Sequence, residues 1–320
     1  MSHQAFSSFT PAHTPDQLQA LIERQFGSEV RSIERTDYGC INAVYFAELA
    51  SGIECVIKVT PHERGFHRLQ EEAWAFEQCR RVGVPAPEVL AVSLETEAFP
   101  EPYIITRRIA GQNGAQAALT EEERQAVFFQ IGEYLARIHT ITLSGFGLLR
   151  RQGGSFVGRF PSLQESLWNE LDHGWWRQPL LECGLATAEQ LDAVRSRFEQ
   201  HRDLFAVERA CLVYADAGLK NVVLDSAKVV AVVDMENVVA GEPVNDFDAL
   251  HYQTEADFLS VQQGYGAPDL FDADFTRKMY LYRLLFAFPT LVEHFRRQNL
   301  ARVTEVQERI RRLDAALDAF

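Results

Sequence analysis

The hydrophobic pattern of this chain shifts near Gly111 from mostly strand-like to mostly helical spacing, and that shift constrains the fold more than any other feature. Before it, apolar and β-branched residues alternate through Ala43-Val44-Tyr45-Phe46-Ala47-Glu48-Leu49 and Ile53-Glu54-Cys55-Val56-Ile57-Lys58-Val59, with Ala50-Ser51-Gly52 between them as a hairpin turn. A helix is expected from about Phe66 to Val82, stopped by Gly83, Pro85 and Pro87, and then two strand-like runs, Glu88 to Leu94 and Tyr103 to Ile109. Ahead of these, Thr14 can cap a helix over about residues 14–26, with Pro15 in its first turn, Gln17 completing a capping box and Gly27 ending it.

Beyond Gly111 the spacing turns helical. Thr120-Glu121-Glu122-Glu123 reads as a capping box, and Val127, Phe128, Ile131, Leu135 and Ile138 recur on one face up to His139. Further helices are expected from about Leu163 to His173, Thr187 to His201, Asp272 to Arg297 and Arg302 to Leu317. One β segment interrupts them: Ala210 to Val213, Asn221 to Leu224 and Val229 to Val233, with Asp225-Ser226 as a turn. The expectation is an α+β chain, a small sheet-rich half with one internal helix followed by a larger helical half.

Composition excludes several classes of function. The 320 residues are 47% hydrophobic and 24% charged, the balance of a globular protein. A formal net charge of −14 disfavours attraction to a nucleic-acid backbone or an anionic membrane and favours a cationic or metal-chelated partner. The arginines near the end, Arg296, Arg297, Arg302, Arg309, Arg311 and Arg312, alternate with acids and read as a salt-laced surface helix. Five cysteines, Cys40, Cys55, Cys79, Cys183 and Cys211, show neither a CxxC pair nor zinc spacing, so a reducing cytoplasm is expected. Met1-Ser2-His3-Gln4 lacks a basic start, and no run of about 18 apolar residues occurs, so no membrane association is expected.

The residues that carry chemistry lie in both halves. In the β segment, Tyr214-Ala215-Asp216 opens a loop that Asn221 closes, and Asp234 follows the next hairpin. Phosphoryl transfer needs an acceptor for the alcohol proton and oxygen ligands for Mg²⁺, held by rigid neighbours, and an Asp, an Asn and an Asp in this order supply them. Asp and Asn are also ordinary turn residues, so the triplet alone does not decide the matter. Lys58 is one of only four lysines and sits inside the apolar run Cys55-Val56-Ile57-Lys58-Val59. Such a lysine needs a carboxylate or anion partner if it is not at an edge facing solvent, and Glu72 on the next helix is the candidate.

Val56-Ile57-Lys58, Glu72, Tyr214-Ala215-Asp216 to Asn221, and Asp234 resemble the motif set of the aminoglycoside phosphotransferase family, small-molecule kinases of two-lobed, protein-kinase-like fold. The resemblance continues through Gly83-Val84-Pro85-Ala86-Pro87, the hinge-like Tyr103 to Gly111, and Gly241-Glu242-Pro243 to Asp246, spanning roughly residues 30 to 250. Ser144-Gly145-Phe146-Gly147 and the Ala-Asp catalytic loop lean toward the hygromycin phosphotransferase branch. It implies an N-terminal nucleotide-binding lobe over residues 1–108 and a catalytic, substrate-binding helical lobe over 109–320.

By position, the resemblance implies that Lys58 binds the α and β phosphates of ATP and pairs with Glu72. Gly39 to Asn42 would form the turn over the phosphates, and the backbone near Arg107 and Ile109 would meet the adenine. Asp216 would be catalytic, Asn221 and Asp234 would ligate Mg²⁺, and Asp246 would brace the site. Two positions depart from the family: Tyr214 stands where a structural His is usual, and Ala215 where Gly is usual, adding a Cβ at a place that favours unusual dihedrals.

The acceptor is less well specified. Ten acidic residues and no Lys or Arg lie between Lys228 and Arg277, a field that suits a cationic alcohol such as an aminoglycoside if the acids are not simply a solvated surface. Trp168, Trp175 and Trp176 read as core rather than as an acceptor pocket, and His139 as a packing or capping residue. Two other functions fit the motifs: a metabolic kinase of choline, amino-alcohol or sugar type, or a nucleotide-binding pseudokinase without turnover, the latter suggested by Tyr214 and Ala215 and opposed by intact Asp216, Asn221 and Asp234.

Overall fold

The computed structural model describes residues 10–36, 42–93, 99–250 and 253–318. Gly39 and Cys40, the end of the strand-like run at Leu94, and Met1 to Gln4 lie outside them. Packing divides the chain into two compact units, Met1–Gln130 with Gly218–Val238, and Ile131–Ala217 with Val239–Phe320.

In the first unit, α1 (Pro15–Phe26) carries the capping box of Thr14 and Gln17, and Gly27 ends it in the left-handed region at φ 59°. Strands β1 (Val30–Arg35), β2 (Ala43–Leu49) and β3 (Glu54–Val59) follow, then α2 (His62–Arg81), β4 (Val89–Ser93) and β5 (Tyr103–Arg107). The five strands form one antiparallel sheet in the order β1-β2-β3-β5-β4. Period-two alternation sends Ala43, Tyr45, Ala47 and Leu49 into the same core as Cys55, Ile57 and Val59, where Leu18, Leu21 and Ile22 of α1 cover them. Lys58 is thereby forced onto the other face, opposite Val44 on β2 and Ile104 on β5. Helix α2 starts at His62 rather than near Phe66, because Pro61 supplies an extended N-cap (φ −60°, ψ 143°) that residue periodicity does not show.

The same unit holds a three-stranded sheet of Lys228–Val232, Val222–Asp225 and Gln112–Asn113. Val232 N–H donates to the Pro85 carbonyl at 2.7 Å, which docks the hairpin on the Gly83-Val84-Pro85 turn. Gly111 (φ 147°) lies against this sheet so closely that a Cβ there would meet the Leu224 carbonyl oxygen at 2.6 Å.

In the second unit, the buried strand Ala210–Val213 is flanked by Thr142–Leu143 on one side and Val239–Gly241 on the other, and the sheet continues through Phe146–Gln152 and Ser155–Phe160. The reading of the region after Gly111 as helical apart from one β segment is therefore corrected by the hairpin Phe146–Phe160. At the end of its first strand Arg150, Arg151 and Gln152 are exposed on both faces, which breaks the alternation. Helices Leu163–His173, Ala188–Gln200 and Ala273–Arg296 match the expected ones, and Pro289 lies inside the last of these without ending it. Pro243–Ala249 and Glu255–Tyr265 are helices that sequence reading missed. The core contains Trp176 stacked on Phe288 at 5.3 Å and Phe198 stacked on Phe205 at 5.5 Å. Among the described residues no helix is long and apolar enough to cross a membrane.

Candidate active site

Lys58 projects from the face of β3 that the core does not use, and three carboxylates meet it there. Its Nζ donates to both oxygens of Glu72 at 3.0 Å and to Asp234 Oδ1 at 2.7 Å, and lies 3.3 Å from Glu236 Oε2. Burial opposes a charge on Lys58, but the combined pull of Glu72, Asp234 and Glu236 outweighs it and raises the ammonium pKa. Burial pushes the Glu72 carboxyl up to about 7, against the pull of Lys58. Glu236 is drawn the other way: burial would raise it, but Lys58, the Asn42 amide and Arg68 hold it below the usual carboxylate range. Lys58, Glu72 and Asp234 were all named from sequence; Glu236 was not, although its place two residues after Asp234 was a usable signal.

Asp234 is delivered by the hairpin. Val222 pairs with Val232, and Val233 N–H donates to the Asn221 carbonyl at 2.9 Å, so the backbone sets Asn221 beside the residue that precedes Asp234. Asp234 takes a left-handed conformation, φ 59°, which Asp tolerates better than most residues. The next residue, Met235, anchors the turn: it is fully buried, with its sulfur 3.5 Å from Cys79 Sγ. Asn221 is buried at the end of the short helical turn Leu219–Asn221. Asn42, at the start of β2, donates through Nδ2 to Glu236 Oε2 at 2.7 Å, and its Oδ1 is buried with no hydrogen-bond partner among the described residues.

At the hinge-like segment, Arg107 N–H donates to the Glu88 carbonyl and Arg108 N–H to that of Glu54, so both amides are committed within the sheet. Arg107 Nε also pairs with Glu88 Oε2 at 2.6 Å, Arg108 lies over the Phe46 ring at 4.4 Å, and Ile109 is half-buried beyond the strand.

The loop that carries Asp216 is built in the second unit. Strand Ala210–Val213 is buried throughout and runs into buried Tyr214, then Ala215 at φ 61°, then half-buried Asp216. Asp246, with no exposed surface, holds this turn: Oδ2 accepts from Tyr214 N–H at 2.9 Å and Oδ1 from Ala215 N–H at 2.6 Å. His139 Nε2 lies 2.9 Å from Asp246 Oδ2 and its Nδ1 2.9 Å from the Tyr265 hydroxyl. A carboxylate only accepts, so Nε2 carries the proton toward Asp246. His139 is a packed structural residue, as read, and its hydrogen bonds also link the Asp246 brace to Tyr265. Asp216 and Asn221 bracket one loop but fall in different units, the division lying between Ala217 and Gly218.

Other candidates resolve individually. Trp176 is core, as read; Trp168 donates to Glu199 at 2.8 Å beneath Arg202, and Trp175 is 50% exposed beneath Arg296, so neither of these is core. Several of the ten acids have structural duties: Glu242 pairs with Lys278 and accepts from Tyr282, Asp257 and Asp272 cap helices, and Asp248 faces Arg283.

Among the described residues no group of three or more His, Cys, Asp or Glu side chains forms a metal cage. Asp234 and Asn221 nevertheless suit Mg²⁺, which takes oxygen ligands and is commonly held by one or two carboxylates together with substrate phosphates. A dedicated all-protein cage is not what that ion requires.

The family model of the phosphotransferase enzyme family (APH) matches residues 32–277. A search of curated protein sequences gives no match. Among solved structures, a thermostable mutant of aminoglycoside phosphotransferase APH(4)-Ia in ternary complex with ADP and hygromycin B is similar at 18% identity, with TM-score 0.72 over 93% of this chain and 98% of that one. A candidate fructosamine-3-kinase from Thermobifida fusca YX-ER1 is similar at 16% identity, with TM-score 0.67 over 96% of this chain and 100% of that one. A gentamicin complex of APH(2")-IIa is similar at 17% identity, with TM-score 0.63 over 93% of this chain and 96% of that one. At these identities the likeness establishes the fold, which is the α+β, protein-kinase-like fold expected from the sequence.

Proposed function

The chain belongs to the phosphotransferase enzyme family, and on that premise we propose that it transfers the γ-phosphoryl group of ATP to a hydroxyl of a small cationic molecule such as an aminoglycoside. The observation that carries this reading is Lys58 held between Glu72 and Asp234, a buried ammonium prepared for polyphosphate oxygens. Lys58 would bind the α and β phosphates and Glu72 would keep it extended toward them, while Asn42 would lie at the edge of the phosphate site. The backbone near Arg107 and Ile109 would meet the adenine.

Asp216 orients the acceptor hydroxyl; as the oxygen attacks the γ-phosphorus the bond to the β-phosphate oxygen breaks, ADP leaves, and the hydroxyl proton passes to the Asp216 carboxylate. Asp246 and His139 act on Asp216 by fixing the two backbone amides that precede it. Asn221 and Asp234 would hold Mg²⁺, which when bound neutralises charge on the phosphate oxygens. The cationic acceptor is supported by the net charge of −14 and by structural relatives whose complexes contain hygromycin B or gentamicin.

The likeness to a candidate fructosamine-3-kinase favours a second reading, a metabolic kinase for a sugar, choline or amino alcohol. A coupled ADP-release assay over a panel of aminoglycosides and small alcohols separates the two. With the best acceptor, Asp216→Ala is expected to lower kcat by well over tenfold; a loss smaller than tenfold overturns its assigned role.

A further inference from the structure

We propose that Glu236 makes nucleotide binding depend on an accompanying divalent cation, by rejecting the free polyphosphate anion; the proposal rests on the phosphotransferase reading of the Lys58 site. One ammonium meets three carboxylates here: Glu72 and Asp234 in hydrogen bonds and Glu236 at 3.3 Å. Glu72 is the ion-pair partner on α2, and Asp234 is the expected cation ligand. Glu236 is a third carboxylate on an ammonium already paired with two, and it is held firmly. Asn42 Nδ2 donates to its carboxylate at 2.7 Å, and Arg68 binds its carbonyl and Asn237 Oδ1, each at 3.0 Å.

The carboxylate therefore stands beside the Lys58 ammonium, where an incoming phosphate oxygen has to come. A free triphosphate reaching Lys58 meets a fixed like charge in a poorly hydrated place, since the Glu236 side chain is only 15% exposed and that of Lys58 13%. A cation-chelated triphosphate brings its own positive charge and removes that repulsion. Discrimination of this kind is obtained by placing a repulsive group against the wrong ligand.

The state of Asn42 points independently to a ligand. Because a carboxylate can only accept, the Asn42 amide must turn its Nδ2 to Glu236, and this leaves Oδ1 buried and without a partner among the described residues. Asn42 itself is 9% exposed. A buried carbonyl oxygen beside a carboxylate suits a cation or its water, and repels a phosphate.

The test is titration calorimetry of the full chain with ATP in excess EDTA and with ATP in excess Mg²⁺, for the wild type, Glu236→Gln and Glu236→Ala. The expected result is that both variants bind metal-free ATP at least about tenfold more tightly than the wild type. Glu308→Gln, the same charge change at an exposed site in the other unit, should leave both affinities unchanged. Metal-free affinity that is unchanged or weaker in both Glu236 variants overturns the proposal; if the Mg²⁺ complex alone weakens, Glu236 is a cation ligand instead. A wild type that binds neither form refutes the phosphotransferase reading rather than this inference. Thermal unfolding of each variant without ligand shows whether it is folded, and Asn42→Ala, which releases the carboxylate, should shift metal-free binding in the same direction.

Discussion

Ala215 is a non-glycine residue held under visible backbone strain in the loop that carries Asp216. At φ 61° an L-residue with a Cβ costs about 1–2 kcal/mol relative to the right-handed region, and glycine does not incur that cost. Replacing Ala by Gly also loosens the unfolded chain, at about 0.4–1 kcal/mol. The difference predicts that Ala215→Gly stabilises the protein by about 0.5–1 kcal/mol, because the bonds from the Tyr214 and Ala215 amides to Asp246 involve backbone atoms and survive the change. Ser226, at φ 57° in the exposed turn between Val222–Asp225 and Lys228–Val232, is an internal comparison: Ser226→Gly should give a similar gain with no change in activity. Urea unfolding with unchanged m-values reads the stability. The ADP-release assay reads kcat, which for Ala215→Gly should equal or exceed the wild-type value. If Ala215→Gly destabilises by more than about 0.5 kcal/mol while Ser226→Gly stabilises, the strain argument at Ala215 is refuted.

Two further outcomes follow from the buried polar groups. Asp246→Ala leaves the Tyr214 and Ala215 amides and the His139 Nε2–H without their acceptor, and should cost about 3–5 kcal/mol in urea unfolding, with Asp246→Asn less harmful; a loss under about 1 kcal/mol would contradict the bracing role. Burial raises the Glu72 carboxyl to about 7, above its unfolded value of 4.5, so the folded state binds its proton more strongly. Its contribution to stability is full below pH 4.5 and is lost as pH rises to about 7, and the wild type should lose stability relative to Glu72→Gln across that window. Equal slopes for the two proteins would show that Glu72 stays ionised throughout.

Much of this was legible in the sequence because local rules and global fold agree. Thr14, Pro15, Gln17 and Gly27 each satisfy one requirement of a helix end, and α1 forms between them. The alternation of Ala43 to Leu49 and Cys55 to Val59 fixes which face is buried, and with it the face on which Lys58 must emerge. Lys58 and Glu72 were recoverable because a lysine inside an apolar run demands a carboxylate, whereas Asp234 was named as a cation ligand from its place after the hairpin and its bond to Lys58 was not foreseen. The hairpin Phe146–Phe160 was not, because three consecutive exposed residues, Arg150, Arg151 and Gln152, and its glycines break period two. The partners of His139 were not legible because Asp246 and Tyr265 are each more than one hundred residues away. Glu236 was passed over because a carboxylate two residues after Asp234 looks like a turn residue until Asn42, 194 positions earlier, is seen to bind it.

The claim on which the rest depends is that Lys58 receives the phosphates of ATP. Calorimetric titration of the wild type, Lys58→Met and Lys228→Ala with a non-hydrolysable ATP analogue and Mg²⁺ tests it directly, Lys228 being an exposed lysine at the end of the hairpin turn. Saturable binding by the wild type and by Lys228→Ala, weakened at least about tenfold in Lys58→Met, about 1.4 kcal/mol, is the predicted result. A folded Lys58→Met protein that binds the analogue as tightly as the wild type would contradict it.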